Sequence, residues 1–343
     1  MIILTNCLTE TADEGGLKVA TSLTRRMKAA DASVTVVSCG STPAGSDVHL
    51  PANKLMLNGA LARFLRKSRE EVLYIPAYAR MLPTALRIAM LSLYSGGRLK
   101  TLLVMKSPIG KLAGWLLKSC RAEILALSED AWRHYGAVIG ERAIRLQTGV
   151  DTERFVPADA VKKAALREKY GIPADKKVVL HVGHLTQGRN LQHLLKLDES
   201  FHVVLVVSSF SLNEKDEALR AQLLARKNVT LIDQYLPAVE EIYQLSDVYL
   251  FPVVEDCNCI DVPLSVLEAA SCGVPVVTTR YGEMQTLVEQ PGFYPIESFD
   301  ADALNALVCR AAEGTANPRE AVLPYDWKWA VETLLHKGSG DKR

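Results

Sequence analysis

Residues 178–195, VVLHVGHLTQGRNLQHLL, decide the fold. The run VVLHV is short, apolar and rich in β-branched side chains, the pattern of a strand buried on both faces. A glycine turn follows, then a basic loop, then NLQHLL, which predicts a helix. Gly183 and Gly188 give the loop backbone freedom, and His184 and Arg189 bracket it. A strand that passes through a tight loop into a helix is the unit of a parallel α/β sheet. Cations at the C-terminal end of such a strand suit a diphosphate.

The same alternation runs outward in both directions. MIILTN, SVTVVSC, EVLYIP, KTLLVM, EILALS and AIRLQT predict strands in the first half. KVVLHVG, FHVVLVV, NVTLID, DVYLFP, VPVVTT and GFYPI predict strands in the second. Segments with helical spacing, such as GLKVATSLTRRMKAA and AVEEIYQLS, separate them. Two sets of about six strands imply two doubly wound α/β domains. The junction is GVDTERFVPADAVKKAALREKYGIP (149–173), placing a first domain at 1–155 and a second from 156. The tail KGSGDKR reads as frayed.

A chain of 343 residues has room for two such domains, and 48% hydrophobic with 23% charged residues excludes a disordered protein. The net charge of +1 argues against a nucleic-acid binder. That sum hides a division: 21 Lys/Arg against 13 Asp/Glu in residues 1–155, and 19 against 26 in 156–343. Part of the basic excess lies in LARFLRKSREE, with Arg63, Arg66, Lys67 and Arg69, and part in GKLAGWLLKSCR. There Lys111 and Lys118 share a helix face beside Leu112, Trp115 and Leu116, a pattern that suits an anionic membrane surface or an ordinary helix whose apolar side is core. No apolar run is long enough to span a membrane, and the N-terminus is not expected to be a signal peptide. Seven scattered Cys point to a reducing cytoplasm. Cys257 and Cys259, with Asp256 and Asp261, read as loop residues rather than a metal site.

Two further segments carry chemistry. Gly15 and Gly16 follow the first strand and open a helix, where bare backbone N–H groups and the helix dipole favour a phosphate or sugar. No GxGxxG dinucleotide fingerprint is present. In FPVVEDCNCIDVPLSVLEAASCGVPVVTTRYGEM (251–284), Pro263 enters a helix whose first N–H groups, near Leu264 and Ser265, offer a second phosphate contact. Glu268 lies one turn inside, where a buried carboxylate requires hydrogen bonds and a ribose supplies them.

Taken in order, these segments resemble the GT-B glycosyltransferases, specifically the large retaining family 4. The resemblance rests on the GG pair, on ALSEDAWRHY followed by LQTGVDTERFVP, and on HVGHLTQGRNLQHLL. It extends through NVTLIDQYLPAVEEIYQLSDVYLFP, DVPLSVLEAASCGVPVVTT and the closing YDWKWAVETLL. It implies an α/β GT-B fold of two Rossmann-like domains facing across a cleft. Residues 1–155 would bind acceptor and 156–323 the nucleotide sugar, with 324–343 a crossover helix and tail. It implies roles as well. Gly15 and Gly16 would lie near the donor phosphates and sugar, and Gly183, His184 and Arg189 by the diphosphate, with Gly16, His184 and Arg189 serving catalysis. Tyr235 and Leu236 would flank the base, Leu264 and Ser265 would offer backbone N–H groups, and Glu268 would hold the ribose.

The sequence departs from the family at three places. The first of its paired glutamates falls at Ile260, with Asp261 the neighbouring carboxylate; His184 replaces an Arg; and MKSPIG, after the strand KTLLVM, lacks the family histidine, leaving Lys106 and Ser107 nearest. The expected activity is metal-independent, retaining transfer of a hexose from a nucleotide diphosphate sugar to a glycan or lipid-linked hydroxyl, as in surface polysaccharide or glycolipid synthesis. No cofactor, metal or nucleic acid is expected, and Asp300 of the DAD at 300–302 reads as a helix cap. The expected place is the cytoplasm, peripheral at the inner face of the cell membrane. The alternatives are a catalytically silent subunit binding nucleotide or a protein partner, and a nucleotide-sugar epimerase of related fold.

Overall fold

The computed structural model describes residues 1–6, 8, 15–40, 43, 45–76, 80–208, 216–254 and 259–336. The chain divides into two compact units, Met1–Thr148 with Trp327–Arg343, and Gly149–Asp326. The first carries a seven-stranded parallel sheet: β1 (Ile2–Thr5), β2 (Thr35–Ser38), β3 (Val48–His49), β4 (Val72–Ile75), β5 (Leu99–Leu103), β6 (Glu123–Ala126) and β7 (Ala143–Arg145). Its order is β3-β2-β1-β4-β5-β6-β7. The second carries β8 (Lys177–Gly183), β9 (Phe201–Val207), β10 (Val229–Ile232), β11 (Val248–Phe251), β12 (Val276–Thr278) and β13 (Phe293–Pro295). Its order is β10-β9-β8-β11-β12-β13.

All twelve sequence-predicted strands are present. The thirteenth, β3, is a two-residue edge strand paired at Val37↔Val48 and Ser38↔His49, too short to leave a period in the sequence. Apolar runs form the central strands because a parallel sheet is covered on both faces. Apolar packing on β8 splits accordingly. Val178 and Leu180 belong to one core cluster, while Val179 belongs to another with Leu205 and Leu250.

In each unit the chain leaves one central strand in one direction and its neighbour in the other. β1 leads to β2 while β4 leads to β5; β8 leads to β9 while β11 leads to β12. The C-terminal ends of β1/β4 and of β8/β11 are therefore topological switch points, where doubly wound sheets bind ligands.

The unit boundary lies seven residues before the sequence-based one. Residues 149–156 are tied into the second unit: Ser271 Oγ donates to Phe155 O (2.7 Å), Gln244 Nε2 to Val156 O (2.8 Å), and Val150 N to Tyr325 O (2.7 Å). That last bond also keeps residues 324–326 in the second unit rather than with the closing helix. The helix Trp327–His336 belongs to the first unit, packed against Gly15–Ala30, with Trp327, Ala330, Val331 and Leu334 buried.

The predicted helix after the basic loop is a short 3-10 turn, Leu191–Lys196. It starts from Asn190 in the left-handed region (φ 57°) and ends on extended Leu197. The Lys111–Ser119 helix buries only Ala113 and Leu117 fully, while Leu112 (57% exposed) and Trp115 (62%) face outward beside exposed Lys111 and Lys118. Its apolar edge is therefore only partly core. The frayed-tail expectation lies outside the described residues. Among them no helix is long and apolar enough to cross a membrane.

Candidate active site

The site of the second unit is built around the tips of β8 and β11. β8 ends at Gly183, and His184 and Arg189 follow on its loop. Arg189 is buried (6% exposed), and its Nη1 donates to Cys259 Sγ at 3.3 Å. This bond ties the β8 loop to the segment that follows β11. Tyr281 donates its hydroxyl to Cys259 O (2.8 Å), and Glu283 N donates to Asp261 O (3.0 Å). Residues 259–261 are thus clamped from two sides before the chain turns into the helix Leu264–Ser271.

That helix begins at Pro263 and has no side-chain cap. Within it, Val266 N and Leu267 N return to Pro263 O (3.1 and 3.3 Å). An uncapped N-terminus with buried Leu264 and half-buried Ser265 retains the positive end of the helix dipole. Glu268, one turn in, is 6% exposed, and its Oε2 accepts from Tyr243 Oη at 2.7 Å. Burial, then the adjacent Glu268 charge, pushes the Tyr243 phenol well above its ordinary range, so it stays a donor. Tyr249 Oη donates to Val182 O (3.2 Å) and is also hydrogen-bonded by Ser265. It braces the β8 tip against the first turn of the helix.

Beneath the loop lies His181, fully buried and stacked near Tyr249 and Phe251, with ring centroids 6.1 and 6.3 Å away. Its Nδ1–H donates to Leu250 O (2.8 Å), which makes Nε2 an acceptor. Nε2 has no hydrogen-bond partner among the described residues. Burial first, then the charges of Arg189 and His184, lower its pKa to about 4, so the ring is neutral at pH 7.

The structure brings Gly183, Arg189, Asp261, Leu264, Ser265 and Glu268 to one end of one sheet. His184 adjoins them on the β8 loop. Tyr235 (37% exposed) and Leu236 lie on the loop after β10, with Leu236 packed on the core cluster that contains Tyr243 and Val266. Arg154 pins that loop by donating to Pro237 O (2.6 Å) and Glu240 (2.8 Å). Gly15 and Gly16 belong to the first unit, where they open the Gly15–Ala30 helix. Ile260 is half-buried at the place of the family's first glutamate. Asp300 caps Ala301–Glu313 by accepting from Asp302 N and Ala303 N. Cys257 and Asp256 lie outside the described residues.

Reading the sequence missed His181, Tyr243 and Tyr249, and gave Cys259 only as a loop residue, without its contact to Arg189. A histidine inside an otherwise apolar strand was a visible signal for His181. Tyr243 and Tyr249 lie in AVEEIYQLS and DVYLFP, where nothing local shows which phenol reaches a carboxylate.

Two doubly wound parallel sheets, with a basic loop and a carboxylate-bearing helix at the second switch point, define the class as the GT-B glycosyltransferase fold. Residues 176–313, which lie within the second unit, match the family described as Glycosyl transferases group 1. A D-inositol 3-phosphate glycosyltransferase of Xylanimonas cellulosilytica is 30% identical over 243 residues, covering 64% of this chain and 55% of that protein. The chain thus aligns with little over half of that curated relative's length. A glycosyltransferase from Rickettsia africae shares the fold, with a TM-score of 0.75 at 14% identity, covering 98% of this chain and 97% of that one. Anabaena Alr3699/HepE, solved in complex with UDP and glucose, gives a TM-score of 0.73 at 13% identity, covering 99% of each chain.

Proposed function

We propose that the protein transfers a hexose from a nucleoside diphosphate sugar to a hydroxyl acceptor, with retention and without a metal ion. One observation carries the reading most: Arg189, the uncapped Leu264 helix and buried Glu268 converge at the β8/β11 switch point. As the bond from C1 to the phosphate oxygen breaks, negative charge grows on the diphosphate. Preorganised N–H groups and a guanidinium stabilise that charge more than they stabilise the ground state. Arg189, the His184 ring and the Leu264 and Ser265 N–H groups supply them. The acceptor oxygen bonds to C1 on the same face, and its proton passes to the departing phosphate oxygen. Glu268 holds the ribose hydroxyls, and Tyr235 and Leu236 bracket the base. Similarity to relatives named for glycosyl transfer, and to one solved with UDP and glucose, supports this reading.

The acceptor is a glycan or a lipid-linked glycan of a surface polysaccharide or glycolipid. The protein works in the cytoplasm, resting on the inner face of the cell membrane. The outward Leu112 and Trp115, flanked by Lys111 and Lys118, support that placement, because an apolar edge with basic neighbours matches an anionic lipid surface. Ile260 favours a second reading, a silent subunit that binds nucleotide without turnover.

The test is a screen of nucleotide sugars for transfer and hydrolysis, with chelator present and the product anomer read by NMR. Turnover that survives chelation, retains configuration and falls at least a hundredfold in Glu268→Ala and Arg189→Ala is expected. Binding without turnover across the common donors selects the silent subunit. An activity untouched by either substitution refutes the site.

A further inference from the structure

We infer that Tyr243 is a positioning residue for nucleotide recognition: it fixes the orientation in which Glu268 meets the ribose. This rests on the ribose role proposed for Glu268.

Tyr243 comes from the helix Glu240–Gln244, on a different element from Glu268, yet its hydroxyl lies 2.7 Å from Glu268 Oε2. Both residues are buried, Tyr243 completely. The phenol ring is held edge-on by Phe155 (centroids 5.8 Å) and is tilted against Tyr249 (5.9 Å), so it has no other place to swing. A phenol trapped in this way is a fixed donor. It engages Oε2 and so fixes the orientation of the carboxylate. It also offsets part of the cost of burying an ionised carboxylate. A tyrosine needed only to fill the core would do so equally well as phenylalanine. The hydroxyl is the part whose role is recognition.

The experiment compares the full-length protein and Tyr243→Phe in binding UDP and GDP, each against its 2′,3′-dideoxy counterpart, by calorimetry. For whichever nucleotide binds, the protein with Tyr243 intact is expected to prefer the ribose form about tenfold or more. Tyr243→Phe should shrink that preference about fivefold while leaving dideoxy affinity unchanged. Glu268→Gln should abolish the preference, and adding Tyr243→Phe to it should cause no further loss, because the phenol acts through the carboxylate. Conversely, equal loss of both nucleotides in Tyr243→Phe, or no loss of either, overturns the positioning role while the ribose role stands. A preference that survives Glu268→Gln, or is absent from the start, overturns the ribose role and the inference with it. Tyr243→Phe removes one oxygen and keeps the ring packing. Should it nevertheless unfold, Glu268→Asp is the second variant. Withdrawing the carboxylate by one methylene from the phenol and from the ribose alike, it is expected to lose ribose preference, and retained preference contradicts the ribose role and the inference with it.

Discussion

Gly183 has no side chain because of what lies under it. A Cβ there would sit 3.0 Å from His181 Nε2, and that ring is held by Leu250 O and by its aromatic neighbours. Gly183→Ala is expected to destabilise the second unit by about 1–3 kcal/mol through overpacking. The loss should be much smaller in a His181→Ala background, measured by urea unfolding of all four variants. His181 also makes stability depend on pH. Its pKa is about 4 when folded against 6.5 as its ordinary value, so the unfolded chain takes up the proton first. The contribution is full above pH 6.5 and is lost as pH falls toward 4. At pH 5 the loss amounts to about 2 kcal/mol. Unfolding midpoints followed from pH 7.5 to 5 should show a decline that His181→Gln flattens. An equal decline in both proteins would remove His181 as its source.

At the scale of elements, the carboxylate of Asp247, just before β11, receives Val178 N (2.7 Å), Lys163 Nζ (2.7 Å) and Arg167 Nη2 (2.6 Å). It locks the helix Ala160–Lys169 to the start of β8. Burial alone would raise its pKa, but the Lys163 and Arg167 charges and these hydrogen bonds hold it below the usual carboxylate range. Asp247→Asn is expected to cost about 3 kcal/mol, because it leaves a buried guanidinium without its counter-charge; calorimetric melting checks this. Gly282 (φ 54°) lies against the 259–261 clamp, where a Cβ would stand 2.2 Å from Asp261 O. Gly282→Ala should move Asp261 and the start of the Leu264 helix, weakening nucleotide binding at least tenfold in a titration. The elements themselves were legible because a parallel strand is a dense apolar run and twelve of thirteen left one. The 3-10 turn at 191–196 was not legible, since its apolar spacing fits an α-helix. The candidate site was legible where a glycine ends a strand or a charge stands on the loop beyond it, as with Gly183 and Arg189. It was hidden where distant aromatics converge, as Tyr243 does on Glu268.

At the scale of the whole molecule, the charge division acquires a structural context. The basic residues of the first unit include Lys111 and Lys118 beside an outward Leu112 and Trp115. Each lysine near an anionic bilayer contributes about 1 kcal/mol. Replacing both with Gln should weaken sedimentation with phosphatidylglycerol vesicles at least tenfold, and Trp115→Ser should weaken it further. Indifference to lipid charge would contradict the membrane placement. The central claim is that the β8/β11 switch point binds the diphosphate of a nucleotide sugar through Arg189. Its most direct test is calorimetric titration of UDP and GDP into the intact chain and into Arg189→Ala. Micromolar binding of at least one nucleotide is expected, weakened at least tenfold by the substitution. No binding of either, or binding indifferent to Arg189, would contradict it.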